Sequence, residues 1–405
     1  MKKLMLLGGL RYLLPVIESA HKEGLYVITV DYLPNNIAHK YSDEYHNVSI
    51  IDKEAVLSLA KQLRIDGIMS FAVDPGVLTA SFVQQEMCLP SFGPYESVKI
   101  LQNKGKFRKF LADNGFNVPK AKSYADEKEA LNDISKMSFP VIVKPTDSAG
   151  SKGVTRVDNK EDLPYAIAHA IENSLSKTFI IEEFIEKQGY SSDSDCFVQD
   201  GKFKFYSFSS QRFDTSAQNP YVPAAYSWSA SNNKQSVVDF RNEEILKQEL
   251  QRLISLLKMQ TSIYNIETRV STDGKPYIME ASPRGGGNRL AEMVRYATGV
   301  DMITACVQAS VGNKIIPIEQ KPYNDYWAEV ILHSDKAGEF ESLSIKDDVK
   351  KNIIETDLWI KKGDKVKNFN GANDTIGTLV MKFDSSDELE ERLSDFRKWM
   401  KVEVK

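Results

Sequence analysis

Two glutamates in the second half of the chain, Glu267 and Glu280, have a spacing that suits a metal site. Asp273-Gly274 lies between them and is typical of a two-residue hairpin turn, and centring the turn there places the glutamates directly opposite each other. Opposed carboxylates repel each other and destabilise a sheet unless a cation lies between them. Because the segment 262–287 contains no Cys or His, its oxygen ligands favour Mg²⁺, with Mn²⁺ as the alternative. Taken alone, the pair is equally compatible with two glutamates that face solvent.

The residues that follow Glu280 favour the metal interpretation. Just beyond the carboxylates lies a cation, Arg284. It is followed by three glycines at 285–287, which form a loop that another group can approach closely. An arginine in this position can stabilise the charge on a phosphoryl group during its transfer. The hairpin is therefore predicted to bring a divalent cation and a phosphate group together.

A second segment, PVIVKPTDSAGSKGV at 140–154, has features of phosphate binding. A lysine within an apolar strand, here Lys144, is costly unless it is paired, so a phosphate is a suitable partner. The strand is followed by a loop of small residues whose backbone N–H groups can surround phosphate oxygens, with candidates Ser148, Gly150, Ser151 and Gly153. The spacing is not that of a Walker loop. A hairpin turn with an outward lysine explains the segment alone equally well.

A third segment, FIIEEFIE at 179–186, reads as an apolar strand that ends in two glutamates. Such a strand can hold adenine through its backbone groups while a carboxylate accepts a hydrogen bond from the exocyclic amine. Acidic residues are common at strand ends, so this segment indicates adenine binding only together with the others.

The elements that carry these segments predict an α/β fold. The chain begins with alternating strands and helices, which indicates a doubly wound parallel sheet, with strands at 3–9, 25–32 and 66–71 and helices at 12–23 and 53–64. Gly8-Gly9 follows the first strand without the full G-x-G-x-x-G spacing, so we interpret it as a tight turn rather than a dinucleotide site. Farther along, the polar stretch 214–236 reads as a long loop, a length typical of functional lids.

The composition limits the class of protein. With 405 residues, two or three domains are expected, and 42% hydrophobic and 27% charged residues are typical of a soluble globular protein. A formal net charge of −4 gives no reason to expect a nucleic-acid or membrane partner. The three cysteines and five histidines are scattered, which argues against disulfides and a zinc site, and the first residues read as a strand rather than a signal peptide. We therefore expect a cytoplasmic protein. The sequence does not determine the oligomeric state, and a homodimer is one of the open alternatives.

Taken in order, the segments resemble the ATP-grasp superfamily of carboxylate–amine ligases. The resemblance covers most of the chain and rests on an ordered set of strings: NKGKFRKFL, PVIVKP with DSAGSKGV, FIIEEFIE, IETR with YIMEASPRGGG, and ATGVDM. It implies an α/β fold whose ATP-grasp part is α+β, divided into an N-terminal Rossmann-like domain at 1–100, an ATP-grasp domain of two α+β subdomains at 101–318, and a small α+β domain at 319–405. The implied cofactors are ATP and Mg²⁺.

The same resemblance implies a role for each candidate residue. Lys104 and Lys144 would contact the ATP phosphates, and the loop at 148–153 would close over them. Magnesium would be held by Glu267 and Glu280. The residues that would line the adenine slot are Glu182, Glu183, Phe184 and Ile185.

The implied reaction joins a small carboxylate to an amine. The carboxylate is activated as an acyl phosphate, with Arg284 supporting the transition state, and an amine then displaces phosphate, so that ADP and phosphate are released. Residues 358–393 are similar to the C-terminal domain of L-amino-acid ligases, which favours an amino acid as a substrate over purine-type ligation. The alternatives are a non-catalytic nucleotide-binding or regulatory protein, and a kinase that phosphorylates a small molecule.

The chain departs from the family pattern at two positions. Ser282 stands where the family usually has an asparagine metal ligand, and Asn265, which lies opposite it in the predicted register, is hypothesised to supply the missing oxygen. Gly189 stands where a glutamate for the ribose hydroxyls is common, and Asp193 or Asp195 is the candidate replacement. These departures slightly favour the non-catalytic alternative.

The substrate pocket is the least determined part of the sequence. Arg212 and Arg289 are candidates for clamping a carboxylate, and a surface salt bridge is the equal alternative for each. By resemblance, the stretch 212–231 lines or covers the substrate site. Three of its aromatic residues shape a pocket or anchor the segment to the core: Tyr221, Tyr226 and Trp228.

Overall fold

The computed structural model describes residues 1–230 and 240–405, and the chain begins with a parallel sheet. The strands are β1 (Lys3–Leu7), β2 (Tyr26–Val30), β3 (Glu44–His46) and β4 (Gly67–Ser70). Helices cover both faces of the sheet: α1 (Leu14–Lys22), α2 (Lys53–Leu63) and α3 (Asp74–Glu86). The strand order β3-β2-β1-β4, with parallel pairing throughout, confirms the predicted doubly wound unit.

The position of β1 creates a topological switch point at the carboxyl edge of this sheet. β1 pairs with β2 on one side and β4 on the other, an arrangement that leaves a crevice for ligands beyond the strand ends. Gly8 follows β1 with a φ of +109°, and a Cβ at this position would lie 2.8 Å from Cγ2 of Val73. The loops after β1 and β4 therefore approach so closely that only glycine fits at Gly8.

Two antiparallel sheets form the middle of the chain. Helices α4 (Tyr95–Leu101) and α5 (Lys104–Asp113) lead into the first sheet, of order β5-β8-β6-β7, in which the strands are β5 (Ala121–Tyr124), β6 (Val141–Pro145), β7 (Thr155–Val157) and β8 (Phe179–Glu183). Its connections hold the helices α6 (Glu127–Asp133) and α7 (Leu163–Glu172). The second sheet, of order β10-β9-β13-β14, contains β9 (Ser192–Gln199), β10 (Lys202–Phe205), β13 (Ser262–Val270) and β14 (Pro276–Ser282). The helices α8 (Phe240–Leu256), α9 (Leu290–Thr298) and α10 (Met302–Ser310) accompany it.

The C-terminal part of the chain is built on a five-stranded sheet of order β11-β12-β15-β19-β17. Its strands are β11 (Ser210–Phe213), β12 (Pro223–Ser229), β15 (Tyr326–Leu332), β17 (Ile353–Leu358) and β19 (Gly377–Phe383). A three-stranded sheet and two helices complete the fold: β16 (Gly338–Ile345), β18 (Lys365–Val366), β20 (Met400–Val404), α11 (Asp347–Lys350) and α12 (Ser386–Ser394). No helix in the two described ranges has the length and apolar character needed to cross a bilayer.

The prediction of a long loop at 214–236 was wrong for its central part, because residues 223–229 form β12. Tyr226 and Trp228 are 2% and 0% exposed and pack in the core, so burial of these large side chains outweighs the polar character of the neighbouring residues. The stretch 231–236 of that prediction lies outside the described residues. Strands β11 and β12 precede residue 319, whereas the other three strands of their sheet follow it.

Candidate active site

The hairpin of β13 and β14 brings the two predicted metal ligands together. Glu267 lies directly opposite Glu280, and Asn265 lies opposite Ser282, in the register that the sequence predicted. All four side chains therefore share one face of the sheet. The opposite face carries core residues such as Ile266.

The turn of this hairpin differs from the predicted two-residue turn. Val270 pairs with Pro276, and the Ser271 N–H donates to the Lys275 carbonyl (2.9 Å). The loop at 272–274 therefore contains three residues rather than two. This change alone would place Met279 opposite Glu267. Met279 is instead the extra residue of a β-bulge, which restores the predicted register at the carboxylates.

Two further carboxylates extend the site onto β9. Asp193 lies opposite Glu267, and Asp195 lies opposite Asn265, in the pairing of β9 with β13. The Asn265 amide donates to Asp193 (2.7 Å). We call Asp193, Asp195, Glu267 and Glu280 the acidic row. Sequence reasoning considered the two aspartates only for ribose, although the Ser-Asp-Ser-Asp alternation at 192–195 is typical of a strand with acids on one face.

The carboxylates of the acidic row differ in their electrostatic environment. Burial raises the pKa of Asp193 to about 6 and the pKa of Asp195 to about 7. Burial and the neighbouring Glu280 likewise raise the pKa of Glu267. Burial alone would also raise the pKa of Glu280, but nearby lysines outweigh it and lower that pKa. Because most of the row favours bound protons, a cation that replaces those protons would stabilise it.

Two lysines approach the site from α5 and β6. The Lys104 Nζ lies 3.0 Å from the Glu280 Oε1 and donates to the Ser148 carbonyl (2.9 Å). Burial alone would lower the pKa of Lys104, but Glu280 raises it above its ordinary value. The Lys144 Nζ lies 2.6 Å from the Glu182 Oε1, and burial lowers the pKa of Lys144. Both lysines thus lie beside carboxylates of the candidate site, and their phosphate-binding role stays a prediction.

Two buried cations bind the carboxylate of Glu182, so this carboxylate is not free at the end of the predicted adenine strand. The Arg108 Nε lies 2.9 Å from the Glu182 Oε2, and Lys144 holds the other oxygen. Although burial by itself raises the pKa of Glu182, these two cations lower it to about 2. We call Arg108, Lys144 and Glu182 the paired cluster. Arg108, which also donates to the Met279 carbonyl (2.7 Å), was not predicted because a helix arginine is usually exposed.

The predicted phosphate loop has the backbone expected of a small-residue turn. Gly150, Ser151 and Gly153 have φ values of +69°, +58° and +70°. The Ser151 hydroxyl donates to the Tyr221 carbonyl (2.9 Å), and the Asn219 amide donates to the Ser151 carbonyl (3.2 Å). The segment that precedes β12 therefore packs on the loop and holds it near Lys104.

The residues after β8 form an aromatic and cationic rim. The Arg156 guanidinium lies 4.5 Å from the ring centre of Phe184, and the Arg269 guanidinium lies 5.9 Å from it. Arg269 also donates to the Ile185 carbonyl (3.3 Å). Burial, followed by Arg269 and Arg212, lowers the pKa of Lys187 to about 8. Lys187 was not among the predicted residues, since a lone lysine in a loop has no sequence signal.

Arg284 joins the hairpin to the N-terminal sheet. Its Nε and Nη2 lie 2.9 Å and 2.6 Å from the two oxygens of Asp74, at the start of α3. Its Nη1 lies 3.3 Å from the Asn265 side-chain oxygen, so that oxygen faces Arg284 in this structure. Gly285 is required beside it, because a Cβ there would lie 2.2 Å from the ring of Phe71. The switch-point loops therefore close one side of the acidic row.

The two predicted carboxylate clamps are bound by the protein's own carboxylates. Arg212 contacts both oxygens of Glu390 (2.7 and 3.0 Å). Arg289 contacts Glu292 (2.9 Å) and Glu355 (2.6 Å). The side chains of Arg212 and Arg289 are only 5% and 11% exposed, so these are internal ion pairs rather than surface salt bridges. A clamp role for either arginine stays a prediction.

A domain-family comparison agrees with this geometry. The family model described as the ATP-grasp domain matches residues 137–292, the range that holds β6 to β14 and most of the acidic and cationic groups above. The chain contains an ATP-grasp domain. Lys104, Arg108 and Asp74 reach the ATP-grasp domain from outside the matched range.

Full-length comparisons extend the likeness beyond the ATP-grasp domain. The structure of an L-amino acid ligase from Bacillus licheniformis aligns with a TM-score of 0.81 and 20% identity, covering 100% of this chain and 99% of that one. The structure of a phosphoribosylglycinamide synthetase from Anaerococcus prevotii aligns with a TM-score of 0.74 and 20% identity, covering 100% of both chains. At this identity the likeness establishes the shared fold.

Among curated proteins, this chain is similar to large chains of carbamoyl phosphate synthase. The Thermotoga maritima protein is 24% identical over 330 residues, and the protein from Thermoanaerobacter sp. is 25% identical over 227 residues. These alignments cover 81% and 55% of this chain. The chain spans only 29% and 19% of the length of the two relatives.

Proposed function

We propose that this protein is an ATP- and Mg²⁺-dependent ligase that activates a carboxylate as an acyl phosphate and joins it to an amine. The observation that carries the proposal is the acidic row beside Lys104 and Lys144, inside a chain with an ATP-grasp domain. Opposed carboxylates suit a divalent cation, and buried lysines suit phosphate oxygens.

The residues present fit the implied ATP and metal ion. Glu267 and Glu280 offer only oxygen ligands, so Mg²⁺ is expected, with Mn²⁺ as the second candidate. Lys104, Lys144 and the N–H groups of the loop at 148–153 would hold the phosphates, and Glu182 would orient Lys144. Bound ATP with its metal ion supplies a transferable phosphoryl group.

The surrounding residues would hold the adenine and orient the reactants. The adenine slot is proposed along Glu183, Phe184 and Ile185, where the Phe184 N–H already donates to the Pro140 carbonyl (3.0 Å). Arg284, fixed by Asp74, would place its positive charge beside the acyl group as charge develops there. The likeness to the L-amino acid ligase structure supports an amino acid as one substrate.

The deciding experiment is phosphate release from ATP and Mg²⁺ with single and paired amino acids, compared between wild type and Glu280→Gln. We expect release to require an amine and to fall by about 100-fold in the variant, since one of the two proposed carboxylate ligands of the metal ion is lost. Glu339→Gln, an exposed position on β16, is the matched control and should retain wild-type rates.

Each alternative gives a different result in the same assay. A kinase would release a phosphorylated product without needing an amine. A non-catalytic nucleotide-binding protein, the interpretation that Ser282 favours, would bind ATP and turn over nothing with amino acids or other carboxylates. Purine-type ligation would leave the amino-acid panel inactive while another carboxylate and amine supported phosphate release.

A further inference from the structure

A group of buried polar atoms without partners lies on one face of the five-stranded C-terminal sheet. Gln211, Tyr226 and Glu329 are consecutive neighbours across β11, β12 and β15, so their side chains stand side by side. Both carboxylate oxygens of Glu329 and the side-chain oxygen of Gln211 are buried and have no hydrogen-bond partner in the described chain. Unpaired buried carboxylates are rare in proteins because they are costly, and each calls for a specific explanation.

Glu329 is completely buried, and its neighbours are engaged elsewhere. The Tyr226 hydroxyl donates to Asp193 (3.2 Å), and the Tyr12 hydroxyl donates to Asn288 (3.1 Å). Arg289, whose charge acts on Glu329, contacts two other carboxylates, and its Nη1 is buried and forms no hydrogen bond in the described chain. In the described chain the Glu329 oxygens are therefore left without a bonded donor, which a ligand could supply.

The charge around Glu329 indicates what kind of donor is missing. Glu292 and Asp193 face Glu329, and Glu355 is bound to the same Arg289, so one arginine stands among four carboxyl groups. Burial raises the pKa of Glu329 well above its ordinary value. A positively charged hydrogen-bond donor would satisfy both oxygens and balance the local charge, whereas a second anion would not.

A cavity lies next to the neighbours of Glu329. This cavity has a volume of about 820 Å³ and lies between α1, α9 and β17, and Tyr12, Arg289 and Glu292 line it. These are the residues whose charges or dipoles act on Glu329, so Glu329 lies one side chain behind the wall of the cavity. On its other side, Tyr226 joins Glu329 to Asp193, which lies opposite Glu267 in the acidic row.

We infer that Glu329 binds the protonated amino group of a substrate, which makes the substrate class an amino-bearing carboxylate such as an amino acid. The assignment rests on the proposed ligase function and names the substrate of that same site. Because an ammonium group paired with a carboxylate keeps its proton, this nitrogen is held as a recognition group and does not attack the activated carboxylate. Glu329 acts as a specificity residue next to the acidic row.

The test is a binding measurement that does not require turnover. With ADP and Mg²⁺ present, each proteinogenic amino acid and its des-amino carboxylic acid is titrated while the melting temperature is followed. We expect at least one amino acid to stabilise the wild type and its des-amino counterpart to bind at least 10-fold more weakly. Glu329→Gln, which has the shape of a neutral carboxyl, should lose this preference while its affinity for ADP is unchanged.

The controls separate recognition from structure. Glu329→Met, of similar volume, should lose the same preference, and Glu339→Gln on the outside of the same domain should keep it. The inference is overturned if no amino acid binds the wild type, if the des-amino acids bind equally well, or if Glu329→Gln binds amino acids within 2-fold of wild type. If amino acids bind through Glu329 but no phosphate is released, the proposed function fails and the binding site stands.

Discussion

The paired cluster and the acidic row lie next to each other but differ in how their charges are arranged: the first pairs opposite charges, and the second places like charges together. In the paired cluster, one buried carboxylate holds two buried cations, and the pKa of Glu182 falls to about 2 despite its burial. In the acidic row, carboxylates face one another, and burial raises the pKa of Asp195 to about 7. In the first group the protein itself supplies the counter-charges, although the Arg108 Nη2 is buried without a hydrogen-bond partner in the described chain. For the second group we propose a bound cation as the missing counter-charge.

We propose that this difference separates residues that stabilise the fold from residues that bind a ligand. Lys144 belongs to the paired cluster and also acts on Glu280, so it connects the two groups. Replacing a residue of the paired cluster should therefore damage the folded protein. Replacing a residue of the acidic row should damage ligand binding and leave the ligand-free protein as stable as before, or more stable.

The largest effect on stability is expected for Glu182→Gln. It leaves Arg108 and Lys144 buried without a counter-charge, which should reduce the free energy of unfolding by about 3–5 kcal/mol. Urea unfolding, followed by tryptophan fluorescence, measures the change. A loss below about 1 kcal/mol would mean that water or another acid compensates the two cations, and the paired cluster would not be a structural unit.

For Glu267→Gln we expect no loss of stability in the ligand-free protein, in contrast to Glu182→Gln. Removing one of two opposed carboxylates relieves repulsion, so the ligand-free variant should be as stable as the wild type or gain up to about 1 kcal/mol. At ATP and Mg²⁺ concentrations 100-fold above Kd, the wild type should gain about 2.7 kcal/mol and the variant much less. Unfolding curves with and without ligand give both numbers. An equal ligand gain in both proteins would remove Glu267 from the metal site.

A smaller effect, with a defined sign, is expected from pH. Because burial raises the folded-state pKa values of Asp193 and Asp195 to about 6 and about 7, the folded state binds more protons than the unfolded state between about pH 4 and pH 7. The stability contributed by these groups is therefore present at low pH and is lost as pH rises through 7. Asp195→Asn should flatten this dependence when unfolding free energies at pH 5 and pH 7.5 are compared, and a slope unchanged from wild type would contradict the assignment.

The smallest effect is expected for an exposed ion pair. Lys109 and Asp113 are separated by 2.7 Å, but their side chains are 77% and 57% exposed, so Lys109→Ala should change the unfolding free energy by less than about 0.5 kcal/mol. The variant is a control for Glu182→Gln, because both remove one member of an ion pair of similar length. Comparable losses in the two variants would show that burial does not determine the cost.

The local pattern of the sequence predicted the main elements of the site. The opposition of Glu267 and Glu280 followed from alternation and a turn signal, and the doubly wound unit followed from the rhythm of strands and helices. The prediction of the register succeeded for a partly wrong reason, since the turn is longer and the bulge at Met279 compensates. A bulge depends on packing around the strand, which turn chemistry does not encode.

Contacts between distant segments could not be predicted in the same way. Arg108 and Asp74 reach the site from helices that are distant in sequence from their partners, and nothing in their neighbouring residues indicates a buried partner. Glu329 is similar, because a single glutamate in an apolar strand reads as an exposed position until its neighbours are known. Burial of a charge is a property of the assembled sheets, so these residues became candidates only with the structure.

The five-stranded sheet combines strands from two parts of the chain, which limits where the chain can be cut without opening the sheet. Strands β11 and β12 lie within the range matched by the ATP-grasp family, whereas β15, β17 and β19 lie beyond it. A chain cut near residue 319 would expose one edge of β12 to pairing with other molecules. The terminal segment is therefore not a detachable module, and a gene fusion or duplication that separated it would inherit an open sheet rather than a shorter folded protein.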